Sequence, residues 1–256
     1  MQLQNITIFL SLAVYVLSAY ADEKVASKPN FTTAINQYLQ AHPACIEIPA
    51  AEQYKFPSTI LPTHNRYYSG EPVLFAFLAK LGLLTAQATT VNVEEKNPLP
   101  SFTEKSRTPK IVQARGTVYG LSELGKSVYR ENVSGSAFFG IQHGFCYGEP
   151  RVVEIINYSE PADMFGQKIS EVNFTYAIYN FASWADSDAI KQAAEQVLSS
   201  DADPSKLNKT MNANRLNNIT DTITQHRQSI KTPLKSKAAL ILTNSGWMHE
   251  KMFRQP

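Results

Sequence analysis

Two cysteines, Cys45 and Cys146, set the tightest limit on the architecture of this 256-residue chain, because it has no others. A bond between them would tie together points about 100 residues apart, for which chain entropy alone gives about 4.7 kcal/mol of stabilisation. Whether such a bond persists depends on the compartment, since oxidising spaces preserve disulfides and the cytosol does not. The amino terminus bears on that question. MQLQNITIFLSLAVYVLSAYADEK has an apolar core from Ile6 to Leu17, followed by small residues at Ala19 and Ala21. This is the pattern of an export signal, residues 1–21, cut after Ala21. The apolar stretch is shorter than the roughly 20 residues of a spanning helix. No later stretch is long enough either, so no integral membrane segment is expected in the mature chain. Two cysteines in an exported protein predict a structural Cys45–Cys146 disulfide.

A thiol could instead serve as nucleophile or metal ligand. His143 lies three residues before Cys146, but a Cys–His pair is recognised in space and this spacing is no known nucleophile signature. A thiolate zinc site would have to recruit histidines, and none of His42, His64, His143, His226 and His249 lies at ligand spacing with another. No catalytic residue, metal ligand or cofactor is assigned from these residues.

About 235 residues follow the signal, enough for one large domain or two small ones. An apolar fraction of 43% with 18% charged residues is that of a folded chain rather than a disordered one. FTTAINQYLQAHP places Phe31, Ala34, Ile35, Tyr38 and Leu39 on one helical stripe, stopped by Pro43. EPVLFAFLAKLGLL reads as a buried helix with Pro72 in its first turn and Gly82 as its cap. TAQATTVNV and IVQARGTVY read as strands around a Pro/Lys/Glu-rich exposed insert or wing, and LSELGKSVYRE as a short helix. These elements predict a winged-helix-like N-terminal unit over residues 22–135, with the glycines between 135 and 148 as the hinge out of it.

The remainder, residues 136–256, predicts a twisted antiparallel sheet with a packed helix and a basic C-terminal segment. RVVEIINYS and KISEVNFTYAIYNFASWA alternate as half-buried strands do, and EPADMFG turns between them. SDAIKQAAEQVL is an amphipathic helix capped by Asp186 or Ser187. DADPSKLNKTMNANRLNNIT is polar and Asn-rich, a loop or weak helix, and KAALILTNSGW is a last strand. The fold class is therefore α+β.

The net charge of +2 conceals an asymmetry: ten acidic residues face Arg151, Lys168 and Lys191 between 149 and 203, whereas nine basic residues face only Asp221 and Glu250 thereafter. Either the two regions pack together and neutralise each other, or Arg215, Arg227, Lys231, Lys235 and Lys237 offer a basic surface to an anionic partner. GLSELGKS satisfies the phosphate-loop spacing, yet its interior is helix-forming and acidic, and no downstream strand supplies a magnesium-holding Asp. G-x-S-x-G, H-E-x-x-H and S-x-x-K are absent. Of seven N-x-[ST] matches, Asn173 falls in a strand, which argues against reading all of them as glycan sites.

Several runs resemble a pattern in a group of small exported bacterial proteins. They are Tyr119-x-Leu121-Ser122-x-x-Gly125-Lys126, Cys146-x-Gly148, the Ser159-Glu160-Pro161-Ala162-Asp163 turn and a long strand leading to Trp184-Ala185, together with Cys45, Pro49 and Gly82-Leu83-Leu84 upstream. The group includes the carbapenem intrinsic-resistance (immunity) proteins, and the likeness covers roughly residues 31–198 without the basic tail. It implies a periplasmic, non-enzymatic protein conferring tolerance to a carbapenem, and no family catalytic residues carry over. The expected partner is a carboxylate antibiotic, sequestered, or a cell-wall target, shielded. The alternative is an envelope adaptor holding another periplasmic protein through its sheet edge or basic region. No nucleic-acid partner is expected.

Overall fold

The computed structural model describes residues 23–48, 55–62, 71–94, 110–136, 140–164, 166–201 and 205–253. The signal segment 1–21 and most of the insert, 95–109, lie outside the described residues, as does His64. No described helix is long and apolar enough to cross a membrane.

The first helix, α1 (Lys28–Ala41), starts where the Ser27 hydroxyl accepts from the Asn30 amide and ends before Pro43. Its stripe buries Phe31, Ala34 and Ile35. Strands β1 (Ala44–Ile48) and β2 (Ser58–Ile60) follow, then helix α2 (Glu71–Lys80). Helix α2 buries Val73, Leu74, Phe75, Phe77 and Leu78, as its all-round apolar character predicts. Gly82, at φ 74°, closes it. The Gly82 amide donates to Ala79 and the Leu83 amide to Leu78, which satisfies the last carbonyls in a Schellman turn.

Strands β3 (Leu84–Glu94) and β4 (Ile111–Leu121) pair antiparallel, and with β2 they form a three-stranded sheet in the order β2-β4-β3. A short helix α3 (Glu123–Val128) leads into β5 (Tyr129–Ser136) and then β6 (Gly140–Tyr158). After β7 (Ala162–Met164) and β8 (Gln167–Tyr179), a 3-10 turn at Ser183–Ala185 opens onto α4 (Ser187–Ser199) and α5 (Lys206–Gln228). The described chain closes with β9 (Leu234–Thr243), β10 (Gly246–His249) and α6 (Glu250–Phe253). A seven-stranded antiparallel sheet runs β1-β6-β8-β9-β10, with β5 also on β6 and β7 also on β8, and it curls into a half-barrel. The α+β class expected from the residues is the one found.

Strand β6 is the joint of the molecule. Its first half pairs with β1 and β5, its second with β8, and two register shifts bend it between Val152 and Asn157. One core lies around the first half, where Ile46, Phe145 and Tyr147 meet Leu74 and Phe75 of α2, Ile190 of α4 and Leu216 of α5. The other lies under α1, where Phe31 and Ile35 meet Ile155, Val172, Phe174, Leu240 and Trp247.

One expectation is corrected here. The glycines before 148 do not form a hinge: Gly144 and Gly148 sit inside β6, where a Cβ would come 2.9 Å from the Ile46 carbonyl oxygen and 2.4 Å from Ile178 Cγ2. Contacts cross position 135: α1 packs on the large sheet and β1 pairs into it, while α4 packs on α2. Periodicity shows which stripe of a helix is buried but not what covers it. Of the two readings of the polar segment after 204, loop or weak helix, the helix is the one found, and it runs for 23 residues.

Candidate functional site

Cys45 of β1 and Cys146 of β6 are cross-strand partners and form the disulfide expected from the sequence. Gly144 lets the strands approach, since a Cβ there would lie 3.0 Å from Cys45 Cβ. His143 is turned to another partner: its Nδ1 is hydrogen-bonded to the Tyr129 hydroxyl, against Phe145 and Phe56. The structure therefore does not bring a free thiol and an imidazole together.

On the far side of the disulfide, Tyr147 is stacked on Phe181 and its hydroxyl is hydrogen-bonded to His226 Nδ1 at 2.8 Å. Burial raises the Tyr147 phenol far above its ordinary range, with lesser contributions from Tyr176 and Glu47. Burial also lowers the His226 imidazole. Both shifts favour the neutral forms, so the pair is a fixed hydrogen bond at neutral pH rather than a proton relay. Arg227 lies 4.8 Å over Phe181 and gives two hydrogen bonds to the Ala185 carbonyl, at 2.8 and 2.6 Å. Among the described residues, buried Trp184 Nε1 and Glu71 Oε2 have no hydrogen-bond partner.

A third group joins the end of α1 to the last strand. His249, 5% exposed, stacks on Tyr38 with ring centroids 3.9 Å apart, and His42 packs on Tyr38 at 4.2 Å. His249 Nδ1 accepts from the Lys251 amide. Burial, with Lys251 and His42 adding, lowers the His249 imidazole to about 4. Among the described residues no three His, Cys, Asp or Glu gather as a metal-binding group.

The phosphate-loop spacing has a structural cause. Ser122 caps α3 through the Gly125 amide and donates to the Gly82 carbonyl at 2.6 Å. A Cβ at Gly125 would sit 2.0 Å from the Leu83 carbonyl oxygen. Lys126 reaches Glu123 on the surface. The run is the seam between α2 and α3, and α3 has only six residues.

The basic residues of the tail are spread over α5, the turn after it and β9. Arg215 lies mid-helix in α5, Arg227 is bound to Ala185, Lys231 is in the following turn, and Lys235 and Lys237 stand on β9. Lys237 faces Glu171 at 3.5 Å, so part of the basic segment does pack against the acidic one. Asn173, one of the N-x-[ST] matches, donates to Asn157 across the strands.

A cleft of about 180 Å³ opens where β2, the start of α2 and β4 meet, lined by Ile60, Pro72, Arg115, Thr117 and Tyr119 among others. Gly116 allows β2 to pass close by, since a Cβ there would lie 3.1 Å from the Ile60 carbonyl oxygen. Arg115 is exposed, and no hydrogen bond or ion pair holds its guanidinium among the described residues. Burial raises the Tyr119 phenol despite a hydrogen bond with Thr117 that lowers it. The cleft thus combines a cation, a hydroxyl and apolar walls. Sequence reasoning passed over it because its walls come from three separate segments. The available signal was glycine next to arginine inside a strand, the mark of a close backbone approach. The chain matches no family model, no curated protein and no solved structure.

Proposed function

We propose that this is an exported, non-enzymatic protein that confers tolerance to a carbapenem by holding the antibiotic or shielding its target. The periplasm is its proposed location, and a disulfide of the kind joining Cys45 and Cys146 favours such an oxidising compartment. The family likeness is the main support. The residues that carry it serve the scaffold: Ser122 and Gly125 seam α2 to α3, Cys146 ties β6 to β1, and Ala185 receives Arg227. They bear on the shared architecture, and the ligand site is to be sought elsewhere. A winged-helix-like description of α2 with the β2-β4-β3 sheet belongs to the same reading.

The observation that bears on mechanism is the cleft at Arg115. A guanidinium offers two parallel donors to a carboxylate, and the carbapenem carboxylate is the matching group. Thr117 offers a further polar contact, and Ile60 and Pro72 an apolar wall. Export of the chain in a sensitive bacterium should raise carbapenem tolerance, and Arg115→Ala should remove most of that gain at equal protein level. Purified protein should leave the antibiotic's absorbance unchanged over time. Unchanged tolerance would eliminate this reading, and a specific periplasmic partner recovered with it would favour an envelope adaptor. Loss of absorbance would indicate a hydrolase.

A further inference from the structure

Open strand edges are templates for pairing with another chain, and folded proteins protect them with short length, bulges, prolines or charges. Among the described residues most edges here are protected. Strand β10 has four residues, β7 has three, and β2 has three. Strand β5 carries a register shift. The half of β9 beyond β10 bears Lys235 and Lys237, and the stretch of β4 beyond β2 bears Arg115. Strand β3 differs. It has eleven residues, pairs with β4 without a register shift, and carries no proline and no charge before Glu94. It ends the order β2-β4-β3, so its other edge is open among the described residues.

The direction of its backbone groups can be read from one hydrogen bond. The Ser122 amide donates to the Leu83 carbonyl, which makes Leu84 and Leu121 a non-hydrogen-bonded pair. Alternation then points the amides and carbonyls of Thr85, Gln87, Thr89, Val91 and Val93 at β4, and those of Ala86, Ala88, Thr90 and Asn92 outward. The outward residues are also exposed on their side chains.

We propose that β3 pairs antiparallel with β3 of a second copy about a two-fold axis at Thr89, giving a six-stranded sheet β2-β4-β3-β3′-β4′-β2′. Only registers that oppose even-numbered residues satisfy the outward groups. The register centred on Thr89 uses the whole strand: Ala86 faces Asn92 of the other copy, Ala88 faces Thr90, and Thr89 faces itself. Glu94 faces Leu84, so no like charges meet, and a neutral strand is complementary to itself in a way that the lysine-bearing edge of β9 is not. An isologous contact of this kind closes as a dimer and leaves no growing edge between the copies.

Sedimentation equilibrium on the exported, oxidised full chain tests the pairing. The wild type should run at twice the monomer mass. The double variant A88K/T90K sets ammonium groups opposite each other on both sides of the axis, and it should raise the dissociation constant about 100-fold. Its circular dichroism should not change, because both side chains are exposed. T89C should form a covalent dimer on oxidation, visible on a non-reducing gel. A wild type that stays monomeric at high concentration, a dimer that A88K/T90K leaves intact, or a T89C chain that does not cross-link would each overturn the proposal.

Discussion

At Gly125 a single methyl group decides whether the turn after β4 can close on α2. A Cβ would meet the Leu83 carbonyl oxygen at 2.0 Å and the Ser122 hydroxyl at 3.3 Å, and the first of these is backbone that cannot rotate away. Gly125→Ala should therefore cost about 3 kcal/mol, the scale of overpacking plus a damaged cap. Lys126, one residue on, makes only an exposed pair with Glu123. Lys126→Ala should stay within about 0.5 kcal/mol of the wild type. Urea titration of the two variants checks both figures. A phosphate loop would invert the pattern of interest, since its lysine would then control nucleotide affinity; calorimetry with ATP on the wild type should show no binding. The Gly-Lys-Ser spacing alone does not distinguish these cases. The helix-forming, acidic Leu-Ser-Glu-Leu between the glycines does.

Among elements, α5 shows most clearly where reading by pattern stops. Its composition is rich in Asn and Thr, weak helix formers that favour turns and caps, and this is why the segment reads as a loop or a weak helix. It becomes a helix because Ser205 caps it, Leu216 and Ile223 are buried in the shared core, and Arg227 fastens its end to Ala185. Tertiary packing supplies what propensity lacks. Leu216→Ala should cost about 2–5 kcal/mol, and Arg227→Ala about 2–3 kcal/mol through the lost charged hydrogen bonds and the contact with Phe181. Both would appear as lower midpoints in denaturant, with helix signal lost in the same transition. By contrast, α1, α2 and α4 were legible because caps and apolar stripes are local: Pro43 after α1, Gly82 after α2, Asp186 before α4. The β3–β4 pair was legible as two strands, whereas membership of a sheet was not, since register depends on distant residues. One long-range pairing could nevertheless be read. The expected disulfide set Cys45 beside Cys146, and in the fold the strands that carry them, β1 and β6, are paired. The Arg115 cleft had no such marker, because its walls meet only in the fold.

For the molecule as a whole, the disulfide, buried His249 and half-buried His226 govern stability under different conditions. The Cys45–Cys146 bond spans 101 residues of sequence, so the double variant C45A/C146A should lose about 4 kcal/mol, mostly by freeing the unfolded chain. Denaturant titration with and without reductant would show the same loss in the wild type and none in the variant. The pH response follows from His249 and His226, whose imidazoles the fold keeps neutral. His249 has its protonation lowered to about 4 from an unfolded value near 6.5, and His226 is lowered by burial in the same direction. Above the unfolded value neither state binds the proton and nothing is gained or lost. As pH falls through 6.5 the unfolded chain takes up the proton while folded His249 does not, so stability declines by about 1.4 kcal/mol per pH unit until about pH 4. His249→Phe keeps a ring against Tyr38 and removes the titration, though it also removes the acceptor for the Lys251 amide. It should be less stable than the wild type at pH 7, yet lose about 2 kcal/mol less between pH 7 and pH 4.5. The carboxylates titrate alike in both proteins, so the difference between the two melting curves isolates His249. Parallel curves would mean that the imidazole is protonated within the fold, and the stack of His249 on Tyr38 would then have to be rebuilt with a charged ring.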